Sequence, residues 1–455
     1  MAELKRQLGL LDSTMINVGT IIASAIFIVP SAIAATLGAT GPAILVWVVG
    51  GVVSLLGALS VAELGAAMPE AGGQYVYLAR AYGPASGFLY GWTSGVVINP
   101  ASIAAIAVGF ATYFGFFVPL SGAGIKLVAV LSIVALTVLN SLGVRLGAVT
   151  QNVLTLIKMA LLVVLIVVGF ALPGGSATNL APLWADAPPG HQIASFGVAL
   201  VAVLWAYDGW IEITYVGSEV TDPERNLPRS IVLSTIIGMA LYCLVTASFA
   251  YVLSPAKMAA SSLVASDAAQ VTLGGAGAAL VAVAIMIATI GSNNGIVLTA
   301  ARIPYAMARD GLLPRRLAGV HPRFLTPVPS LVVQGIIAIA LTWISTEPSW
   351  KGTYNRLFTY VVLGEFIFYG MSAGAVILLR HTAADMPRPY RTWGYPVTPL
   401  VFVLFSVWLI WNTAHEQLLD FAVGMALILA GLPWYWWRKA SSVIRHPSSV
   451  NGSDG

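Results

Sequence analysis

The sequence predicts an all-α polytopic membrane protein with twelve transmembrane helices, grouped as two blocks of five spans and a final pair. Three observations carry this. The chain is 58% apolar and only 9% charged, with a mean hydropathy of +0.87, whereas soluble domains carry about 25% charged residues. At roughly 20 residues per crossing, the apolar windows divide into twelve segments. The first and sixth segments are each interrupted by small or polar residues at mid-depth, over Gly19–Phe27 and Trp205–Trp210.

The first block holds spans near 14–37, 41–68, 85–117, 125–143 and 150–172, so it covers 14–172. The second, 193–380, holds spans near 193–217, 230–254, 276–308, 327–346 and 357–380. Spans 396–414 and 417–437 follow as the final pair, 396–437, divided only by His415 and Glu416. A polar lead, 1–13, and a basic, then Ser/Gly/Asp-rich tail, 438–455, flank them; the tail's composition predicts disorder. Five crossings is an odd number, so the second block must run through the bilayer in the opposite sense, the condition for an inverted repeat. Among the loops, Pro255 to Ala268 has the composition for a short helix over the outer mouth. Pro100 stands where it would kink the third span.

Charge fixes the orientation. With the N-terminus inside, seventeen lysines and arginines fall on the cytoplasmic side and four outside (Lys126, Lys257, Lys351 and Arg356), while Lys158 stays within a span. This positive-inside bias puts both termini in the cytoplasm of a multi-pass protein of the cell (plasma or inner) membrane. No cleavable signal peptide is evident, because Lys5 and Arg6 precede a long apolar segment without a small-residue cleavage site. The arginines are scattered over short loops, so the bilayer, and no nucleic acid, is the expected partner. The single cysteine, Cys243, cannot build a disulfide framework, a zinc site or a catalytic pair. The histidines have no metal-ligand spacing, and no nucleophile–base pair or phosphate loop is present. No enzyme, metal or cofactor is expected; nor is a channel, since no filter-like repeated carbonyl loop occurs.

The interruptions carry the chemistry. Thr20, Ala23, Ser24 and Ala25 leave backbone accessible, and open backbone at membrane depth is tolerated only where protein or a water-filled cavity takes it up. Paired breaks in the two halves are the best sequence pointer to a transporter's binding site. Ser24 and Thr20 could instead bond carbonyls of their own helix. Trp205 at mid-depth is either core packing or a gate, and Tyr207 and Trp210 could simply pack. Asp208 near the bilayer centre costs at least about 2.5 kcal/mol; it could hold a substrate amine, favour cationic side chains or bond loop amides. Lys158 lies roughly 12 Å into the fifth span, too deep to snorkel. It needs a packed partner, for which the carbonyls near Gly19 and the cluster Ser292-Asn293-Asn294 are the candidates. Glu63, Glu70, Glu219, Arg302 and Arg309 lie near cytoplasmic helix ends, as an inner-gate network or as ordinary interfacial charges. Glu365 is a second intramembrane acid with no evident partner.

Several stretches converge on one family: Glu63-Leu-Gly65, Met68-Pro69 and Gly72-Gly73-Gln-Tyr75-Val-Tyr77; Leu204-Trp-Ala-Tyr-Asp-Gly-Trp210 with Arg225-Asn-Leu-Pro228; Met307-Ala-Arg-Asp-Gly-Leu-Leu-Pro314; and Arg388-Pro-Tyr-Arg391 with Gly394-Tyr-Pro396. From about residue 10 to 400 the chain resembles the amino acid–polyamine–organocation superfamily, within it the L-type amino-acid transporters. The resemblance implies a LeuT-type fold, a 5+5 inverted repeat with broken helices 1 and 6, and alternating access around a midplane site. It puts the substrate carboxylate at the amides of Ala23, Ser24 and Ala25, and the amino group at Thr20, Ile21, Trp205 and Asp208, with Ala206, Tyr207 and Gly209 completing the second break. Helix-end dipoles favour that division. Lys158 resembles an amine standing where related transporters keep sodium, beside Gly19, Ser292 and Asn293; alternatively it carries a coupling proton. Glu63, Glu219 and Arg302 are the inner-gate candidates.

The chain departs from the family in having Ala23-Ser24-Ala25 where Gly-Ser-Gly is usual, and alanine restricts left-handed backbone. In animal members a glycoprotein attaches by a disulfide in the loop between spans three and four. Here that loop, 118–124, has no cysteine, so no such heavy chain is expected. The implied function is sodium-independent exchange of small neutral L-amino acids. Proton symport, or carriage of cationic amino acids or polyamines, stays open.

Overall fold

The structure, a computed structural model, describes residues 3–184, 189–261, 263–344, 350–416 and 418–445. The outer placement of Lys351 and Arg356 and the tail over 446–455 lie outside the described residues and side chains. The described residues form helices joined by turns and loops, with two isolated β-bridges and no strand. The helices in chain order are α1 (Leu10–Ile21), α2 (Ala25–Leu37), α3 (Thr40–Ala67), α4 (Gln74–Tyr82), α5 (Pro84–Trp92), α6 (Asn99–Phe114), α7 (Gly122–Ser141) and α8 (Val144–Ala171). There follow α9 (Pro189–Ala206), α10 (Pro223–Val252), α11 (Pro255–Ala260), α12 (Val264–Leu273), α13 (Gly275–Ala300), α14 (Arg302–Arg309) and α15 (Val328–Ile344). The last are α16 (Trp350–Thr382), α17 (Val397–Glu416), α18 (Leu418–Leu429) and α19 (Leu432–Arg445). Among the described residues eight helices are long and apolar enough to cross a membrane, or nine if α1 and α2 are one bent span. This is the architecture of a polytopic membrane protein.

Two helical runs are interrupted. α1 and α2 are bent by 43° across Ile22-Ala23-Ser24. The break needs no left-handed residue: among the described non-glycine residues only Asp222 and Leu325 have positive φ. Alanine therefore fits at 23 and 25 without strain. α9 stops at Ala206, the chain turns over Tyr207–Ile211, and a 3₁₀ segment, Glu212–Glu219, continues it.

The third span shows what Pro100 does. Proline lacks an N–H and crowds the carbonyl four residues back, so the ladder widens into a π-helical turn over Thr93–Ile98. Asn99 Nδ2 donates to Ser94 O at 2.9 Å and takes up a carbonyl of that turn. The effect is a widened helix packed against α14, α15 and α16.

Three details differ from the sequence reading. The outer segment is two short helices, α11 and α12, both packed on α2. The stretch predicted as the last span is interrupted at Ala430-Gly431, between α18 and α19. And α19 runs on to Arg445, through the first part of the stretch predicted to be disordered; its basic residues follow an apolar, Trp-rich turn that carries the helix past the predicted membrane edge.

Candidate functional site

The two breaks meet. Thr20 Oγ1 donates to Gly209 O at 3.0 Å. Asn17, fully buried, donates through Nδ2 to Trp210 O at 2.7 Å and accepts from Ile213 N–H at 2.9 Å. The half-helix α1 is thus stitched to the turn and 3₁₀ segment that follow α9 by side-chain–backbone bonds.

A cavity of about 90 Å³ opens between the breaks, several times the 10–15 Å³ or so that one water needs. Of the residues predicted from sequence, Thr20, Ile21, Ala23, Ala25, Trp205, Ala206, Asp208 and Ser292 line it. The far wall comes from α6 and α13: Ala101, Ser102, Ala105, Ile106 and Ile296. Ser24, Tyr207 and Gly209 do not line it. Tyr207 is fully buried behind the break, donating to Trp47 O at 3.0 Å with its ring edge-on to Trp47.

Buried backbone groups must be accounted for one by one. At the first break Ala23 N–H donates to Ile21 O at 2.8 Å, which leaves Ser24 and Ala25 as the amides at the start of α2, where no intrahelical acceptor exists. Lys158, 1% exposed, donates to Gly19 O at 2.6 Å, Ile22 O at 2.9 Å and Ser292 Oγ at 3.2 Å. Three short acceptors match an ammonium's three hydrogens. Ser292 Oγ also approaches Gly19 O at 2.9 Å. Asn293, grouped with them from sequence, instead donates to Ile103 O at 3.2 Å. At the second break Asp208 N–H donates to Trp205 O at 3.0 Å, and Tyr242 OH approaches Ala206 O at 2.9 Å. The carbonyl ends therefore already have protein donors.

Asp208 is different. Tyr369 OH donates to its Oδ1 at 2.5 Å, and its carboxyl also meets that of Glu365, the acid for which the sequence suggests no partner. Glu212 follows on the 3₁₀ segment and accepts from Thr299 Oγ1. Among the described residues none of these three acids has a lysine or arginine in ion-pair range.

Gly209 holds the turn in place. Its φ of +108° is a conformation side chains rarely adopt, and a Cβ would come within 2.7 Å of Thr20 Oγ1 and 2.9 Å of Ile21 N. Such strain costs about 1–3 kcal/mol. Gly209→Ala is expected to lower the melting temperature by that stability and to weaken binding at the cavity. A thermal melt of purified protein with and without substrate measures both.

The inner-gate candidates separate into two clusters. Arg302 Nε donates to Glu219 Oε1 at 2.7 Å, with both side chains buried. Glu63 belongs elsewhere: it accepts from Arg380 Nη2 at 2.6 Å and from Thr392 N–H at 2.7 Å, with Arg388 Nε 3.5 Å away. Glu70 and Arg309 are exposed. Asn17, Tyr242 and Tyr369 are the residues that sequence reasoning missed. Each lies more than 30 residues from its partner, and no local pattern encodes such a contact.

A helical membrane protein with two helix breaks meeting at a cavity has the form of a transporter. Comparison with known proteins gives the family: a model described as amino acid permease matches residues 8–431, and the chain belongs to that family. The chain is similar to the b(0,+)-type amino acid transporter 1 of Mus musculus, at 33% identity over 95% of this chain and 88% of that one. It is also similar to the serine/threonine exchanger SteT of Bacillus subtilis, at 31% identity over 96% and 97%. The large neutral amino acids transporter small subunit 2 of Homo sapiens is 32% identical over 95% of this chain and 80% of its own. These relatives are permeases and not enzymes.

Proposed function

We propose that this protein exchanges small neutral L-amino acids across the cell membrane, independently of sodium, by alternating access. Twelve spans, both termini cytoplasmic, would divide into inverted repeats 14–172 and 193–380 with a further pair over 396–437. The observation that carries the reading is Lys158, whose amine reaches two carbonyls of the broken first helix. A cation is thus built in where helix C-termini favour positive charge, and sodium is not required there. The substrate carboxylate would meet the amides of Ser24 and Ala25, and its amine would lie toward Asp208 and Ala206. The cavity's volume favours short side chains. The loop 118–124 lacks a cysteine, so no disulfide-linked heavy chain is proposed.

Counterflow in proteoliposomes tests this. Labelled alanine or serine should enter only when unlabelled substrate is inside, with or without sodium. Accumulation driven by an imposed pH gradient alone would instead favour a proton symporter working through Lys158.

A second reading, carriage of cationic amino acids or polyamines, is favoured by the Asp208–Glu365 pair, which has no basic partner among the described residues. Competition by arginine and putrescine separates the two, and the leading reading expects neither to compete. In both, Asp208→Asn removes a charged acceptor worth about 1.5–3 kcal/mol. The KM for alanine is expected to rise about tenfold or more. An unchanged KM would remove Asp208 from the site.

A further inference from the structure

We propose that Asn17 is a positioning residue for substrate binding. Its side-chain amide is inserted into the hydrogen-bond ladder that follows α9 and keeps the turn at Asp208 and Gly209 open toward the cavity. This rests on the reading that the substrate binds between the two breaks.

The stretch after α9 is a 3₁₀ ladder with one rung replaced. Glu212 N–H donates to Gly209 O at 3.3 Å, and Thr214 N–H donates to Ile211 O at 2.9 Å, the i→i+3 spacing of that helix. The rung between them would join Ile213 N–H to Trp210 O. Asn17 fills it instead, accepting from Ile213 N–H at 2.9 Å and donating to Trp210 O at 2.7 Å. A primary amide carries both a donor and an acceptor. It therefore replaces a peptide–peptide bond and leaves neither backbone group unsatisfied. A side chain inserted in this way holds the ladder apart and bends the chain there.

The wedge reaches the cavity through its neighbours. Asn17 is fully buried and does not itself line the cavity. Asp208, two residues before the opened rung, does line it. So does Thr20, one turn along α1 on the same face, which donates to Gly209 O at 3.0 Å. α1 thus grips the turn at Gly209, Trp210 and Ile213, and the spacing of those three points sets where Asp208 sits. Without the amide, Ile213 N–H and Trp210 O bond each other directly. The turn then shortens and draws Asp208 away from its place in the cavity wall.

Asn17→Leu keeps the volume and removes the amide. In proteoliposomes its KM for L-alanine or L-serine is expected to rise about tenfold. Its melting temperature should stay close to wild type, because the closed rung satisfies both backbone groups. A purely structural role predicts the reverse, a lower melt with an unchanged KM, and that result would overturn the proposal. Asn17→Asp gives a second reading. A protonated carboxyl has one O–H and an acceptor oxygen, as the rung requires, whereas an ionised one only accepts. Relative to wild type, the KM of Asn17→Asp is expected to fall about tenfold from about pH 8 to about pH 5, while that of Asn17→Leu stays raised. Asp12, Lys158, Tyr242, Asp208, Glu212 and Glu219, on α1 and the elements packed around it, are common to every variant, so their titration cancels in that ratio. A KM of Asn17→Asp that does not respond to pH would overturn the proposal, even if Asn17→Leu does not fold. Wild-type protein that exchanges neither amino acid would instead remove the site reading, and the proposal with it.

Discussion

Lys158→Met is expected to cut amino-acid exchange about fivefold or more while leaving a folded protein. The side chain is buried and reaches Gly19 O, Ile22 O and Ser292 Oγ, within 3.2 Å of each. Methionine fills a similar volume and buries no charge, so the fold loses little. Ser292 has one hydrogen to share between Gly19 O and Ile22 O. One carbonyl at the break is left unsatisfied, at a cost of about 1–3 kcal/mol. That cost falls on the conformation in which the break is ordered, so it appears in the rate, where each 1.36 kcal/mol or so is tenfold. Paired thermal melts and counterflow assays check it. A variant that melts normally and exchanges normally would show that the amine only fills space.

The second large effect is in stability. Arg302→Met leaves Glu219 buried without its partner, and breaking such a pair costs about 3–5 kcal/mol. The consequence spreads, because Glu219 O also accepts from the Gln7 and Leu8 amides at 2.7 and 2.9 Å. The N-terminal lead is docked there through backbone bonds. We expect Arg302→Met to melt well below wild type, and the double change Arg302→Met with Glu219→Leu to recover much of the loss, since two apolar side chains owe no desolvation. A double variant as unstable as the single one would mean that the arginine acts through packing or through its bond to Leu298 O.

How much of this was legible in the sequence depends on the range of the interaction. The apolar windows and the interruption around Ala23-Ser24-Ala25 are local patterns, and the described helices overlap them, although α8, α10 and α16 begin earlier and α9 stops at Ala206. Pro100 announced a disturbed third span, though not that the ladder would relax into a π-turn tied off by Asn99. Lys158 was legible because burial of an ammonium demands acceptors wherever they come from. Asn17 and Tyr242 were not: an asparagine and a tyrosine within apolar spans read as tolerated polar residues, and their partners, 193 and 221 residues away, are backbone atoms with no sequence signature. The acids show the same limit. Asp208 and Glu365 each stand out alone, but only the packing of α16 against the second break brings their carboxyls together. The inner charges looked like one network because helix ends gather on one side of the bilayer. The packing instead divides them between Glu219 with Arg302 and Glu63 with Arg380.

The most direct test of the whole account is an experimental structure determined with saturating L-alanine. The account predicts one amino acid between the two breaks, its carboxylate on the Ser24 and Ala25 amides and its amine toward Ile21, Ala206 and Asp208. An amino acid bound elsewhere, or bound there with its two charged ends reversed, would contradict it.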